Sequence, residues 1–319
     1  MTDTGTIVFE DVVEPTVLVL GAGCSHPYGF PLGHTLRDAI CALQPHVESE
    51  LFAEIDIDPE ELAEFIGTLR HAGYTSVDWF LETRPEFSRV GKAAIARCLV
   101  PYEDPSKLFP PRAPREHWYE LLINQLDGLI PFRECVESGI SILTFNYDRS
   151  LEYYLLRILS TRRKSESLAA DELQHLKIIH LHGALGDLRP IATAGRSYST
   201  RLDGDTLRCA MEGLLVIGEA DESAEQFQAA RSLLGSAKRV VILGFGYNRV
   251  SLRRLGLVRD SLPGAENRLI TGTTWRLPNP VWDFVGSRVF TEGQRHSVSV
   301  YKYLQSRLNL GPRRRITIR

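Results

Sequence analysis

The 319-residue chain carries 37 basic against 40 acidic side chains, a formal net charge of −3, and 43% hydrophobic residues. That balance belongs to a globular protein and exerts no overall electrostatic pull toward nucleic acid. The acidic start "MTDTGTIVFEDVVEP" lacks a basic leader with an apolar segment, and no apolar run approaches the roughly 18 residues of a membrane span, so a cytoplasmic protein without a membrane partner is expected.

The first element is "TVLVL" at 16 to 20, whose four-residue apolar run predicts a strand buried on both faces. It ends in Gly21, Ala22 and Gly23, a turn that allows close backbone approach and commonly faces a phosphate. Helical patterns follow at 32 to 43, at 58 to 73 with Asp58 as N-cap, and at 87 to 100, closed by the proline-rich loop 102 to 116. Nothing from 34 to 112 reads as a strand, which predicts a helical insertion there, within a core made of 1 to 33 and 113 to 319.

Beyond the loop, strand and helix signals alternate. "ISILTF" (140 to 145), "LKIIHLHG" (176 to 183), "GLLVIG" (213 to 218), "RVVILGFG" (239 to 246) and "NRLITGT" (267 to 273) read as strands. Helical patterns stand at 115 to 130, 148 to 160, 222 to 237 and 251 to 260. Short apolar strands separated by helices of 10 to 16 residues are βαβ units, so the expected class is α/β, a doubly wound Rossmann-like parallel sheet covered on both faces. The five cysteines are scattered and form no CxxC pair, which predicts reduced thiols and no zinc module. The basic tail "GPRRRITIR" reads as a solvated terminus, with contact to a partner or nucleic acid as the alternative.

Ligands of doubly wound sheets bind beyond the carboxyl ends of the strands, where this sequence has Gly21, Gly23 and Ser25; Asn146 and Asp148; His182; Gly244, Gly246 and Asn248; and Thr271 onward. Glycine, Asn, Asp, His and Thr at so many strand ends indicate a nucleotide site. The dinucleotide fingerprint G-x-G-x-x-G is absent, because His26 stands where its third glycine would be and Cys41 where its ribose-binding carboxylate is expected, which argues against a hydride-transferring dehydrogenase. In "TFNYD", alternation lets Asn146 and Asp148 both face the crevice with Tyr147 pointing away, although Asp148 is also placed to N-cap the next helix. In "HLHG", alternation puts His180 and His182 on one face, His182 nearer the strand end. Cys24, in the glycine turn, reads as a packing thiol, with nucleophile as the alternative, and "SVDWFLE" (76 to 82) as a packing segment whose Asp78 can reach the pocket.

In order and spacing, "GAGCS…GFP", "TFNYD", "HLHG" and "ILGFGYN" resemble the motif series of the sirtuin superfamily, most closely the bacterial sirtuin-like NAD hydrolases of anti-phage defence. The resemblance implies that NAD is the substrate, cleaved to nicotinamide and ADP-ribose. It implies that Gly21, Ala22, Gly23, Ser25 and Pro31 hold the diphosphate side, Asn146 and Asp148 the ribose and nicotinamide, and Gly244, Gly246, Asn248 and Thr271 the adenosine. His182 is then the general base. Deacylating sirtuins continue G-I-P with Asp-Phe-Arg and carry two CxxC pairs; this chain has Leu32, Gly33 and His34 after Pro31 and no such pairs, so water is the expected nucleophile. A gate is expected, through a homo-oligomer or a separately encoded ATPase, nuclease or phage-derived trigger. A protein deacylase or ADP-ribosyltransferase and a non-catalytic NAD or ADP-ribose sensor stay open as other classes.

Overall fold

Alternate residues of the three central strands enter two different cores. The computed structural model describes residues 7–111, 116–192, 195–216, 225–258 and 268–318. Its strands are β1 (Ile7–Val12), β2 (Thr16–Leu20), β3 (Ile140–Thr144), β4 (Lys177–His180), β5 (Arg239–Leu243), β6 (Leu269–Thr273), β7 (Arg295–His296) and β8 (Arg313–Ile318). Leu18, Leu20, Ile142, Val241 and Leu243 join the core on one face, while Val17, Val19, Leu143, Val240 and Ile242 join the core on the other. With helices on both sides, each position profits from being apolar, and full burial of one such side chain contributes about 1.5–3 kcal/mol.

The sheet has six parallel strands in the order β4-β3-β2-β5-β6-β7. Strand order reverses at β2, so a crevice opens between the carboxyl ends of β2 and β5, where doubly wound sheets receive ligands. The α/β doubly wound class is therefore what the chain adopts. Between β2 and β3 the described chain folds into helices, among them Gly33–Cys41, Pro59–His71, Val77–Thr83 and Ser88–Leu99. Phe65, Phe80 and Ala94 of these helices share one core with Leu18 and Ile142, so the stretch packs directly on the sheet. No helix among the described residues is long and apolar enough to cross a membrane.

Two expectations are corrected. "GLLVIG" is not a sheet strand: the helix Gly204–Gly213 runs into it, and Leu214 makes only an isolated antiparallel bridge to Gly183, residues 217 and 218 lying outside the described set. An apolar run after a helix can serve as its packed C-terminal extension, and periodicity over so few residues does not separate the two. The basic tail is not a free terminus: β8 pairs antiparallel with β1, from Ile7 opposite Ile318 to Val12 opposite Arg313.

Candidate functional site

A cleft of about 730 Å³ lies over the strand-order reversal. From one side to the other it meets His182 after β4, Asn146 after β3, Gly21 to Gly23 after β2, Gly244 to Asn248 after β5, and Thr273, Trp275 and Arg276 at the end of β6. Of the twelve residues expected at the site, Gly21, Ala22, Gly23, Asn146, His182, Gly244, Gly246 and Asn248 line this cleft.

The two glycine turns pack against each other. The amide of Gly23 donates to Gly244 O at 2.8 Å and that of Gly21 to Leu243 O at 3.0 Å, while Cys24 and Ser25 bond back within the turn. A Cβ on Gly21 would stand 2.6 Å from Phe245 Cα, and one on Gly244, whose φ is +56°, would stand 2.5 Å from Cys24 N. These glycines are set by close approach of backbone to backbone; Gly246, with nothing within 4 Å of its Cβ position, is the one that leaves the cleft open. Gly244→Ala combines a left-handed backbone with a clash against main chain, and a loss of about 2–5 kcal/mol in chemical denaturation is expected. A midpoint unchanged from the parent would refute this account of the turn.

Asn146 is held by three groups. Its Nδ2 donates to Gly21 O at 3.1 Å and to Ser25 Oγ at 3.0 Å, and its backbone N–H donates to Thr144 Oγ1 at 3.0 Å. With both amide protons engaged, Oδ1 is the atom with capacity to spare at the cleft wall. Asp148 does not face the cleft. Its carboxylate is buried behind it, accepting the Ser150 N–H at 3.1 Å and the Ser150 hydroxyl. Burial pushes the Asp148 carboxyl pKa up against those hydrogen bonds. Alternation misjudged it because β3 ends at Thr144 and residues 145 to 149 are irregular. Ser25 Oγ holds the Asn146 amide; Ser25 itself is buried and lies outside the main cleft.

The two histidines also separate. β4 stops at His180, and Leu181 and His182 form a turn, so the rings occupy different places. His180 sits behind the cleft, with Nδ1 on Asn146 O at 2.8 Å and Nε2 on the Glu152 carboxylate. Burial opposes its charge, but Glu152 holds its pKa above the ordinary value. His182 lines the cleft, 5% exposed, between the rings of Phe145 and Tyr147, and its Nδ1 has no hydrogen-bond partner among the described residues. Burial lowers its pKa, so the neutral ring predominates at pH 7, with Nδ1 itself buried from solvent.

The remaining expectations divide similarly. Asn248 Oδ1 caps the helix Arg249–Arg254 by accepting the Val250 N–H at 2.8 Å, and its residue also borders the cleft. Thr271 lies inside β6, its hydroxyl tied to Gln294 O at 3.0 Å and Tyr303 Oη at 2.8 Å, so Thr273 and Trp275 border the cleft in its place. Pro31 is replaced at the wall by Leu32 and Gly33. The Cys24 thiol is buried and donates to Leu243 O at 3.2 Å; burial raises its pKa far above the range of a nucleophile. Residues given little weight by sequence reasoning are Asp78, Trp79 and Glu82, which reach the cleft from the helix Val77–Thr83, and the exposed pair Trp275 and Arg276. The signal for the first three is the segment "SVDWFLE", where polar and aromatic residues accompany an apolar helix face. Among the described residues no three His, Cys, Asp or Glu side chains gather as a metal site.

No protein-family profile matches the chain, and no curated protein does. Among the solved structures to which the chain is similar are three sirtuins. Sir2 in complex with the inhibitor EX-527, 2′-O-acetyl-ADP-ribose and a deacetylated p53 peptide is 14% identical, with a TM-score of 0.39 over 91% of this chain and 90% of that one. Sir2Tm bound to a propionylated peptide is 13% identical, with a TM-score of 0.41 over 92% and 91%. A sirtuin solved to explain substrate affinity is 13% identical, with a TM-score of 0.38 over 92% and 91%.

Proposed function

We propose that the chain is a sirtuin-like NAD glycohydrolase, cleaving NAD to nicotinamide and ADP-ribose with water as nucleophile. The observation that carries the reading is the placement of the His182 ring beside Asn146 on the wall of a cleft over the strand-order reversal, where burial favours its neutral form. A general base must be deprotonated at working pH and within reach of its proton donor, and burial secures the first condition here.

The cleft's reach suits a dinucleotide. Four strand spacings separate β4 from β6, about 19 Å at roughly 4.8 Å each, room for a nucleoside at each end and a diphosphate between them. In this reading the Asn146 Oδ1 orients a ribose hydroxyl or the attacking water beside His182. The Gly21 and Gly244 turns form the floor beneath the diphosphate, and the Trp275 end takes the second nucleoside. The Phe145 and Tyr147 rings shield the reacting centre from bulk water, which strengthens every electrostatic contact inside.

The deciding assay is release of nicotinamide and ADP-ribose from NAD by the purified chain, with and without an acyl-lysine peptide. Release independent of peptide supports the hydrolase; release that requires the peptide transfers the assignment to a deacylase. The resemblance extends the proposal to a gated effector that depletes NAD in defence, and repeating the assay over a range of protein concentrations reads whether self-assembly opens the gate. The same assay yields a pH prediction. His182 has its pKa lowered from 6.5 by burial, so the base is more than half deprotonated at pH 6.5 and is lost as pH falls through the lowered value. The acidic limb of kcat/KM is therefore expected to have its midpoint below pH 6.5, and a limb centred above it would contradict this role.

A further inference from the structure

The helix Val77–Thr83 brings into the cleft a carboxylate that belongs to none of the four motifs. Asp78 lines the wall with Asn146 and His182, and it accepts a hydrogen bond from the Tyr147 hydroxyl. The motif residue between Asn146 and Asp148 therefore fastens a residue of the inserted stretch. The helix is secured at both ends: Ser76 Oγ accepts the Trp79 N–H at 3.3 Å, and Glu82 pairs with Arg254 of the helix Arg249–Arg254. The Asp78 charge also reaches the His182 ring, raising its pKa against the lowering effect of burial.

Three carboxylates line the described cleft: Asp78, Glu82 and Glu116. Glu82 is neutralised by Arg254, and Glu116 is exposed at the rim. Tyr147 donates a neutral hydrogen bond, which holds Asp78 without cancelling its charge.

Building on the hydrolase reading, we propose that Asp78 is the counter-charge for the ribosyl cation formed when NAD is cleaved, so that the inserted helix completes the site. In that step the bond between ribose C1′ and the nicotinamide nitrogen breaks, and its electron pair leaves with the nicotinamide, which becomes neutral. Positive charge moves to C1′ and the ribose ring oxygen. Water oxygen then bonds to C1′, and its proton passes to His182. An anion fixed in advance beside the position where positive charge develops favours the transition state over the ground state, more strongly where bulk water is excluded.

The test compares two ligands in calorimetry: ADP-ribose, and its pyrrolidine analogue whose ring nitrogen is protonated and mimics the cation. The wild-type chain is expected to bind the cationic analogue at least about 10-fold more tightly than ADP-ribose. In Asp78→Asn, which keeps the side-chain volume and still accepts from Tyr147, that preference should vanish while ADP-ribose affinity is retained. With NAD, kcat of Asp78→Asn should fall about 100-fold with KM changed only a few-fold, and Asp78→Glu should recover part of it. A preference for the cation that survives in Asp78→Asn overturns the role of Asp78 and leaves the hydrolase standing. Failure of the wild-type chain to bind either ligand overturns both readings.

Discussion

His182→Ala is expected to lower nicotinamide release from NAD by about 100-fold or more, the usual scale for a positioned acid–base group. Because Nδ1 makes no hydrogen bond among the described residues, the substitution breaks none there, and the space it vacates opens onto the cleft. The melting temperature should therefore move by only a few degrees, which separates lost chemistry from lost folding. Asn146→Ala should fall as far in rate but behave differently in stability, since its amide bridges Gly21 O and Ser25 Oγ. If both variants turn over NAD at the parent rate, the assignment of this cleft as the reacting site fails.

Glu103→Ala is expected to cost about 3–5 kcal/mol of stability, the range found when one partner of a buried ion pair is removed. The Glu103 side chain is 0% exposed and accepts Arg149 Nε at 2.9 Å and Nη2 at 2.7 Å, with Arg196 Nη2 at 2.6 Å on the same carboxylate. Alanine leaves two guanidinium groups sharing only carbonyl oxygens, among them Asp187 O at 2.8 Å. Arg149 directly follows Asp148, so this pair joins the end of the helical stretch to the turn that carries Asn146. The double variant Glu103→Ala, Arg149→Met should regain part of the loss, because it no longer buries an uncompensated charge. A single-variant loss below about 1 kcal/mol in urea denaturation would show that the charges find other partners.

Both expectations depend on residues whose roles differ in how visible they are before folding. Asn146 and His182 stand immediately after apolar runs, and the position after a strand is enough to send them toward the crevice of a doubly wound sheet. Asp148 and His180 each stand two residues away, and alternation puts them on the faces of Asn146 and His182; the structure separates them because alternation holds only while the backbone is extended and both strands end earlier than their apolar patterns suggest. Glu103 carries no local signal, and Asp78 only that of the segment "SVDWFLE"; each lies more than 40 residues from the partner that defines its role.

The predominantly apolar central strands already specify the parallel α/β architecture, since such strands are stable only when both faces are covered. The glycine turns are legible too, the lack of a Cβ being a property of the residue. That β1 and β8 pair, that Asp148 lies behind the cleft, and that the helix Val77–Thr83 supplies a carboxylate to it becomes visible in the folded chain alone. Those outcomes follow from contacts between distant segments, whose energies depend on where the chain brings them and not on the pattern within any one of them.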